Sequence, residues 1–175
     1  MDFGLSNEQE MIIDSVKNFV EQELYPHEDE VEKSNHIDES LAESIKKKAI
    51  QLGLYATNMP EEYGGGGLDT LTLCLLEKEL GKANFGLQYI VARPSNILMA
   101  CKGDQIDKYL IPTIRGEKVD CLAMTEPNAG SDVRSMQCRA EKDGDFFVIN
   151  GSKHFISHAD MADFVILFAA SGSEE

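Results

Sequence analysis

The sequence has few basic residues: 16 lysines and arginines stand against 31 aspartates and glutamates, for a formal net charge of −15. Residues 1–80 hold 18 acids and 6 bases, whereas residues 81–175 hold 13 acids and 10 bases. Nucleic-acid binding requires a basic surface that displaces counterions, and the sequence has no such stretch, so this class is excluded. We expect any anionic ligand to bind in the second half, held by loop N–H groups and helix N-termini.

Long apolar runs are absent as well. No stretch reaches the roughly 18 apolar residues of a membrane span, and the opening MDFGLSNEQE lacks the features of a secretory signal. The four cysteines form no C-x-x-C pair and have no histidine at metal-ligand spacing. We therefore predict buried, reduced thiols without a metal, in a cytoplasmic protein, or a mitochondrial matrix protein if the source is eukaryotic. These cysteines are Cys74, Cys101, Cys121 and Cys138.

Apolar residues at helical spacing fill most of the first two thirds of the chain. Ser6 and Gln9 have the spacing of a capping box, and Pro26 is predicted to end the helix that they begin. Lys46, Lys47 and Lys48 are interpreted as a solvated helix face. Further helices are predicted from Asp38 or Glu39 to Leu52, over 69–80, over 86–100 with an interruption at Arg93-Pro94, and from Asp104 to near Pro112.

Four consecutive glycines, 64–67, separate two of the predicted helices. Glycine allows backbone conformations that other residues avoid, so a phosphate cradle is one interpretation. The segment lacks the Lys-Ser/Thr of a P-loop and the strand-to-helix setting of a dinucleotide fingerprint. A flexible loop is the preferred prediction.

Strand patterns begin near Lys118. VDCLAM and DFVILFAAS are typical of strands, and SMQCRAEKDGDFFVIN of a hairpin that turns at Asp143-Gly144. The fold class is therefore α+β, with a helical domain over 1–117 and a partial β domain over 118–175. Three or four apolar strands leave outer edges unpaired, so we expect a fragment, or a chain that another polypeptide completes.

Three ordered motifs resemble the acyl-CoA dehydrogenase family: MPEEYGGGGLD…EKELGKAN, GDQIDKYLIPTIRGEKVDCLAMTEPNAGSDV and KDGDFFVINGSKHFISHADMADFVILFAA. The resemblance implies a helical domain, the first strands of a barrel-like middle domain, and a C-terminal four-helix domain that this chain lacks. It implies FAD-dependent α,β-dehydrogenation of an acyl-CoA, with hydride transfer to flavin N5. It also implies homodimers or homotetramers and an electron-transferring flavoprotein as electron acceptor.

The resemblance assigns the first half of the FAD site to the segment after VDCLAM. Leu122, Met124 and Thr125 would run along the isoalloxazine edge, with main-chain N–H groups and the Thr125 hydroxyl on the pyrimidine side. Gly130 and Ser131 would lie near the pyrophosphate, and the Ser131 main chain would also contact the thioester arm of the substrate.

The second half of the site is the segment HFISHA, where the family commonly has Trp-Ile-Thr-Asn. Phe155 would pack on the flavin, the Ile156 main chain would add a hydrogen bond, and the Ser157 hydroxyl would lie near N5. Because Phe155 stands at the tryptophan position, the aromatic face is kept while the indole N–H donor is lost. His158 stands at the asparagine position, and an ordinary loop histidine is the preferred interpretation.

No residue of the chain is assigned as catalytic. The general base of the family is a glutamate of the C-terminal domain, and Glu126 matches a structural position instead. Arg93 has two open interpretations, a contact with a polar acyl chain or an ion pair with a nearby acid. A flavin oxidase or monooxygenase on the same scaffold, and a non-catalytic subunit of a heteromeric dehydrogenase, remain alternatives.

Overall fold

The computed structural model describes residues 4–92 and 94–172. Its contacts divide the chain into two units, Met1–Glu117 and Lys118–Glu175. Helices build the first unit and strands the second, so the predicted α+β class is confirmed. Arg93 lies outside the described residues, and both interpretations of its role stay hypotheses.

The first helix, α1 (Asn7–Phe19), begins at the predicted capping box. The Ser6 hydroxyl accepts the Gln9 N–H at 3.2 Å, and the Gln9 side chain accepts the Ser6 N–H at 3.1 Å. The prediction that Pro26 ends this helical segment is wrong. Pro26 lies in the first turn of a 3-10 segment, where its missing N–H removes no helical hydrogen bond. The chain continues through a π-helical turn (Val20–Leu24), the 3-10 segment (Tyr25–His27) and α2 (Glu28–Ser34).

The helices predicted near 39–52 and 69–80 are present, and aspartates cap them. The Asp38 carboxylate accepts the Ser40 N–H, and the Asp69 carboxylate accepts those of Leu71 and Thr72. The predicted 86–100 helix is split in two. The helix predicted to stop near Pro112 ends two residues later at Ile114, and Pro112 itself lies in the first turn of its last segment. The bounds are α3 (Glu39–Gln51), α4 (Thr70–Leu80), α5 (Phe85–Val91), a 3-10 turn (Asn96–Ala100), a π-helical turn (Ile106–Leu110) and α6 (Ile111–Ile114).

The glycine run forms a hydrogen-bonded loop. The N–H groups of Gly65, Gly66 and Gly67 donate to main-chain carbonyls of the preceding segment at 3.0, 3.0 and 2.8 Å. A Cβ on Gly65 would lie 2.3 Å from the Met59 carbonyl oxygen, so glycine is required by close packing. The predicted loop is present, but its backbone is fixed, and these N–H groups are not available to a phosphate.

The strands of the second unit form two small sheets. Their bounds are β1 (Asp120–Ala123), β2 (Arg139–Asp143), β3 (Phe146–Asn150), β4 (Phe164–Leu167) and β5 (Ala170–Ser171). β1 and β4 pair in parallel, and β2 pairs antiparallel with β3 and parallel with β5. The predicted hairpin is present, but its turn is Gly144-Asp145, because Asp143 still pairs with Phe146. The last predicted strand is divided into β4 and β5.

Two predictions about single side chains need correction. Cys121 and Cys138 are buried thiols as expected, but Cys74 is exposed and Cys101 is half-buried. The lysines of α3 are more than a solvated face. Lys46 donates to the Gly116 carbonyl at 3.0 Å and Lys48 pairs with Glu23, so both link α3 to other parts of the helical unit.

Candidate functional site

The segment after β1 makes a tight reversal. Glu126 N–H donates to the Ala129 carbonyl at 2.9 Å, and Ala129 N–H donates back to Glu126 at 3.3 Å. Pro127 and Asn128 occupy the turn between them, where the fixed φ of proline favours a reversal. Gly130 and Ser131 follow at the exposed surface. The predicted binding residues of this segment therefore stand on either side of a rigid two-residue turn.

The second predicted segment lies directly against the first. His154 N–H donates to the Thr125 carbonyl at 2.8 Å, and the Lys153 ammonium donates to the Met124 carbonyl at 3.0 Å. Residues about thirty positions apart in the chain are thus brought side by side at the end of β1. This contact unites the two halves of the predicted site within one unit of the fold.

Glu126 and Lys153 form a buried ion pair beneath this junction, at 2.8 Å between Oε1 and Nζ. Their side chains are 3% and 8% exposed. The carboxylate also accepts the main-chain N–H groups of Gln137 at 2.6 Å and Cys138 at 2.9 Å. The ammonium group of Lys153 and these two N–H groups lower the pKa of Glu126 to about 2. Glu126 is therefore a fixed carboxylate that joins three chain segments.

Lys153 is absent from the sequence-based prediction of the site. A lysine within the loop GSKHF has no local partner in the sequence, and its ion pair spans 27 positions. A weak signal does exist, because a glutamate at a buried motif position requires a cation or several N–H donors.

The predicted FAD contacts lie at or near the surface. Leu122 is 37% exposed and Phe155 is 81% exposed. Within the part of the chain that the structure describes, the hydroxyls of Thr125 and Ser157 and the N–H groups of Gly130 and Ser131 donate no hydrogen bond. The exposed members are Leu122, Gly130, Ser131, Phe155 and Ser157, and the half-buried members are Met124, Thr125 and Ile156.

The second segment carries backbone strain. Phe155 and His158 have φ angles of +56° and +60°, in the left-handed region that residues with a Cβ seldom occupy. The Phe155 ring stacks on the His154 ring, with centroids 3.7 Å apart and planes inclined by 18°. Strained residues of this kind concentrate at binding sites, where the surrounding structure holds a side chain in one orientation.

Two glycines of the site have opposite surroundings. A Cβ on Gly151 would lie 2.6 Å from Cys138 Cα, so this glycine lets the second segment pack closely against the start of β2. A Cβ on Gly130 would meet no atom within 4 Å. The surface at Gly130 is therefore open to a ligand. Unpaired donors, an exposed aromatic ring and open space at a glycine fit a flat cofactor that bears phosphates.

The helical unit contains a separate cavity of about 160 Å³. Its wall includes Val91 and Ala92 at the end of α5, together with Glu77 of α4. Burial raises the pKa of the Glu77 carboxyl, which accepts a hydrogen bond from Gln88 at 3.5 Å. The cavity is thus mainly apolar with one carboxyl group in its wall.

The described residues contain no group of three histidine, cysteine or acidic side chains arranged to hold a metal ion. In the same residues, no helix has the length and apolar character needed to cross a bilayer.

Family models match nearly the whole chain. The acyl-CoA dehydrogenase N-terminal domain matches residues 6–117, and the acyl-CoA dehydrogenase middle domain matches residues 121–175. The chain belongs to the acyl-CoA dehydrogenase family. The resemblance given by the three sequence motifs is therefore confirmed.

Individual proteins similar to this chain agree with this assignment. A 3-(aryl)acrylate reductase of Clostridium sporogenes is 35% identical over 94% of this chain and 44% of its own length. A short-chain-specific acyl-CoA dehydrogenase of Clostridium acetobutylicum is 34% identical over 97% of this chain and 45% of its own length. The structure of an acyl-CoA dehydrogenase from Bacillus anthracis complexed with FAD is 29% identical, with a TM-score of 0.79 over 95% of this chain and 29% of that chain.

The chain thus spans less than half the length of the curated relatives it matches. Membership of the family establishes the fold, and solved relatives such as the Bacillus anthracis protein are complexed with FAD. The assignment of particular residues to FAD stays a prediction, as does any particular substrate.

Proposed function

We propose that the protein is an FAD-dependent acyl-CoA dehydrogenase that removes hydrogens from the α and β carbons of an acyl-CoA thioester. One observation carries the proposal: segments 122–131 and 153–158 lie side by side and leave hydroxyl and main-chain donors unpaired at the surface. In a chain of this family, such a surface fits the redox ring and pyrophosphate of FAD.

Each predicted contact then has a physical role. The Thr125 hydroxyl and main chain would donate to the pyrimidine side of the ring, and the exposed Phe155 ring would pack on its face. Gly130 and Ser131 would offer main-chain N–H groups to the pyrophosphate, because no Cβ blocks the approach at Gly130. Ser157 would place a hydroxyl near N5. FAD, when bound, supplies the acceptor for the β hydrogen.

The proton at the α carbon requires a base that these residues do not provide. Glu126 is excluded because its carboxylate is buried, accepts three hydrogen bonds and has a pKa lowered to about 2. A base of such low pKa is a weak proton acceptor at neutral pH. The proposal therefore takes the base from a glutamate outside this chain, and none of the described residues is assigned as catalytic.

The partners belong to the same proposal. An acyl-CoA is the substrate, an electron-transferring flavoprotein is the acceptor, and the complete protein is a homodimer or homotetramer. Family resemblance supports these partners. Sedimentation of the complete protein, and reduction of an added electron-transferring flavoprotein, test them separately from FAD binding.

The direct test is an absorbance spectrum of the purified full-length protein, followed by anaerobic addition of a panel of acyl-CoAs. We expect flavin bands that bleach with one class of acyl-CoA. Ser157→Ala is expected to slow bleaching about tenfold or more, since one hydrogen-bond donor near the reacting atom is lost. Ser152→Ala, an exposed serine of the same connecting segment, is the matched control.

A protein that takes up no flavin, or one whose flavin ignores every acyl-CoA, would contradict the proposal. A second candidate is reduction of an aryl-substituted acrylate, favoured by the similarity to the Clostridium sporogenes reductase. This candidate predicts that an aryl acrylate reoxidises flavin that dithionite has first reduced, whereas no saturated acyl-CoA bleaches the oxidised flavin. Rapid peroxide release in air would instead select an oxidase.

A further inference from the structure

We infer that Lys153 is a positioning residue that aims the Thr125 N–H at bound FAD through the peptide group between Met124 and Thr125. The inference rests on the proposed function, because it concerns the residues that face the flavin. It adds a residue whose ammonium group is buried and reaches the site through the Met124 carbonyl.

The geometry of the peptide bond gives the first step. The Lys153 ammonium donates to the Met124 carbonyl at 3.0 Å. In a planar trans peptide, this carbonyl and the Thr125 N–H point in opposite directions. A cation that holds the carbonyl therefore fixes the direction of the N–H, which makes no hydrogen bond among the residues that the structure describes.

The neighbouring peptide group shows why a side chain is needed at this point. Between Thr125 and Glu126, the carbonyl accepts from His154 N–H and the N–H donates to the Ala129 carbonyl, at 2.8 and 2.9 Å. Main-chain hydrogen bonds thus hold both ends of that group. Between Met124 and Thr125, the contact that fixes the plane comes from Lys153.

The charge of Lys153 has a second effect on the same peptide group. A cation on the carbonyl polarises the amide, so its N–H becomes a stronger donor. Glu126 also holds the ammonium group in place, at 2.8 Å between Oε1 and Nζ. Because both side chains are almost fully buried, the lysine has little freedom to swing away into water.

A purely structural ion pair is the competing explanation. It predicts that loss of Lys153 lowers the free energy of unfolding and leaves the properties of bound FAD unchanged. A positioning role predicts that loss of Lys153 weakens the binding of FAD, and that the binding of reduced FAD is weakened most. Negative charge develops on the pyrimidine side of the ring upon reduction, where a well-aimed donor matters most.

The test compares Lys153→Met with Lys142→Met in the purified full-length holoprotein. Lys142 is an exposed lysine of β2 and receives the same substitution. FAD affinity and the two-electron reduction potential are measured for each variant, together with urea unfolding. For Lys153→Met we expect about tenfold weaker binding of oxidised FAD and a further tenfold for reduced FAD, which lowers the potential by about 30 mV.

Lys153→Arg is expected to restore most of the affinity and potential, since it keeps a cation within reach of the Met124 carbonyl. Should Lys153→Met fail to fold, Lys153→Gln takes its place, because its amide is a shorter and neutral donor. For Lys153→Gln we expect losses of FAD affinity and of reduction potential that are smaller than those of Lys153→Met.

Folded Lys153 variants with the FAD affinity and potential of the Lys142→Met control would overturn the positioning role alone. A wild-type protein that binds no FAD would overturn this inference and the proposed function together. The two failures are therefore distinguishable in one set of measurements.

Discussion

A side chain added at Gly130 should affect ligand binding without affecting folding, because an added Cβ meets no atom within 4 Å. We predict that Gly130→Ala leaves the free energy of unfolding within about 0.5 kcal/mol of wild type. The same change is expected to weaken FAD binding about tenfold, since the methyl group blocks the approach of the pyrophosphate.

Gly172→Ala is the matched control for that substitution, because a Cβ there also meets no atom within 4 Å. Gly172→Ala is expected to change neither the free energy of unfolding nor the affinity for FAD. Flavin fluorescence titration and urea unfolding give the two readouts. Equal FAD affinities for both alanine variants would remove Gly130 from the binding surface.

Gly65 lies at the opposite extreme, since a Cβ there would approach the Met59 carbonyl oxygen to 2.3 Å. The backbone at Gly65 and at Met59 must move apart to make room for the added methyl group. We therefore predict that Gly65→Ala lowers the free energy of unfolding by about 3 kcal/mol. Urea denaturation measures the loss, and stability equal to that of Gly172→Ala would show that the glycine loop is not tightly packed.

At the scale of single elements, helix α1 offers an internal comparison of two serines. Ser6 caps the helix, whereas the Ser15 hydroxyl donates to the Met11 carbonyl within it. We predict that Ser6→Ala costs about 1 kcal/mol. Ser15→Ala is expected to be neutral or slightly stabilising, because alanine has the higher helix propensity. Circular dichroism during thermal unfolding distinguishes them, and equal losses would argue against the capping box.

Much of this element structure could be predicted from local patterns. Ser6 with Gln9, Asp38 and Asp69 mark helix starts by chemistry that acts over two or three residues. Pro26 misled the prediction, because a proline begins a helical turn as readily as it ends one. Local sequence does not say which of the two occurs, since the choice depends on how the next turn packs.

The site was predictable in a similar, partial way. Motif resemblance placed Thr125 and Ser157 in one binding surface, and the structure brings their segments together. Lys153 was missed because its partners lie 27 and 29 positions away. The strain at Phe155 was missed as well, since a left-handed phenylalanine has no signature in the sequence.

At the scale of the whole molecule, Glu126 links stability to pH. Its pKa is lowered from 4.5 to about 2 in the folded state. An acid with a lowered pKa stabilises the fold fully above its unfolded value, and this stabilisation is lost as pH falls toward the folded value. We predict that wild type exceeds Glu126→Gln in unfolding free energy at pH 6, and that the gap closes between about pH 4.5 and 2.

Urea unfolding at a series of pH values measures that gap. Glu141→Gln, which changes an exposed carboxyl of β2, supplies the baseline for the loss of one acidic side chain. A gap between wild type and Glu126→Gln that stays constant from pH 6 to pH 2 would show that the carboxylate charge does not stabilise the fold.

We propose that segments 122–131 and 153–158 together hold the redox ring of FAD, and a crystal structure of the full-length protein with FAD tests this. We expect the Thr125 hydroxyl and the Ser157 hydroxyl within hydrogen-bond distance of the ring, with Phe155 against its face. A ring bound elsewhere, with both hydroxyls out of reach, would overturn the proposal.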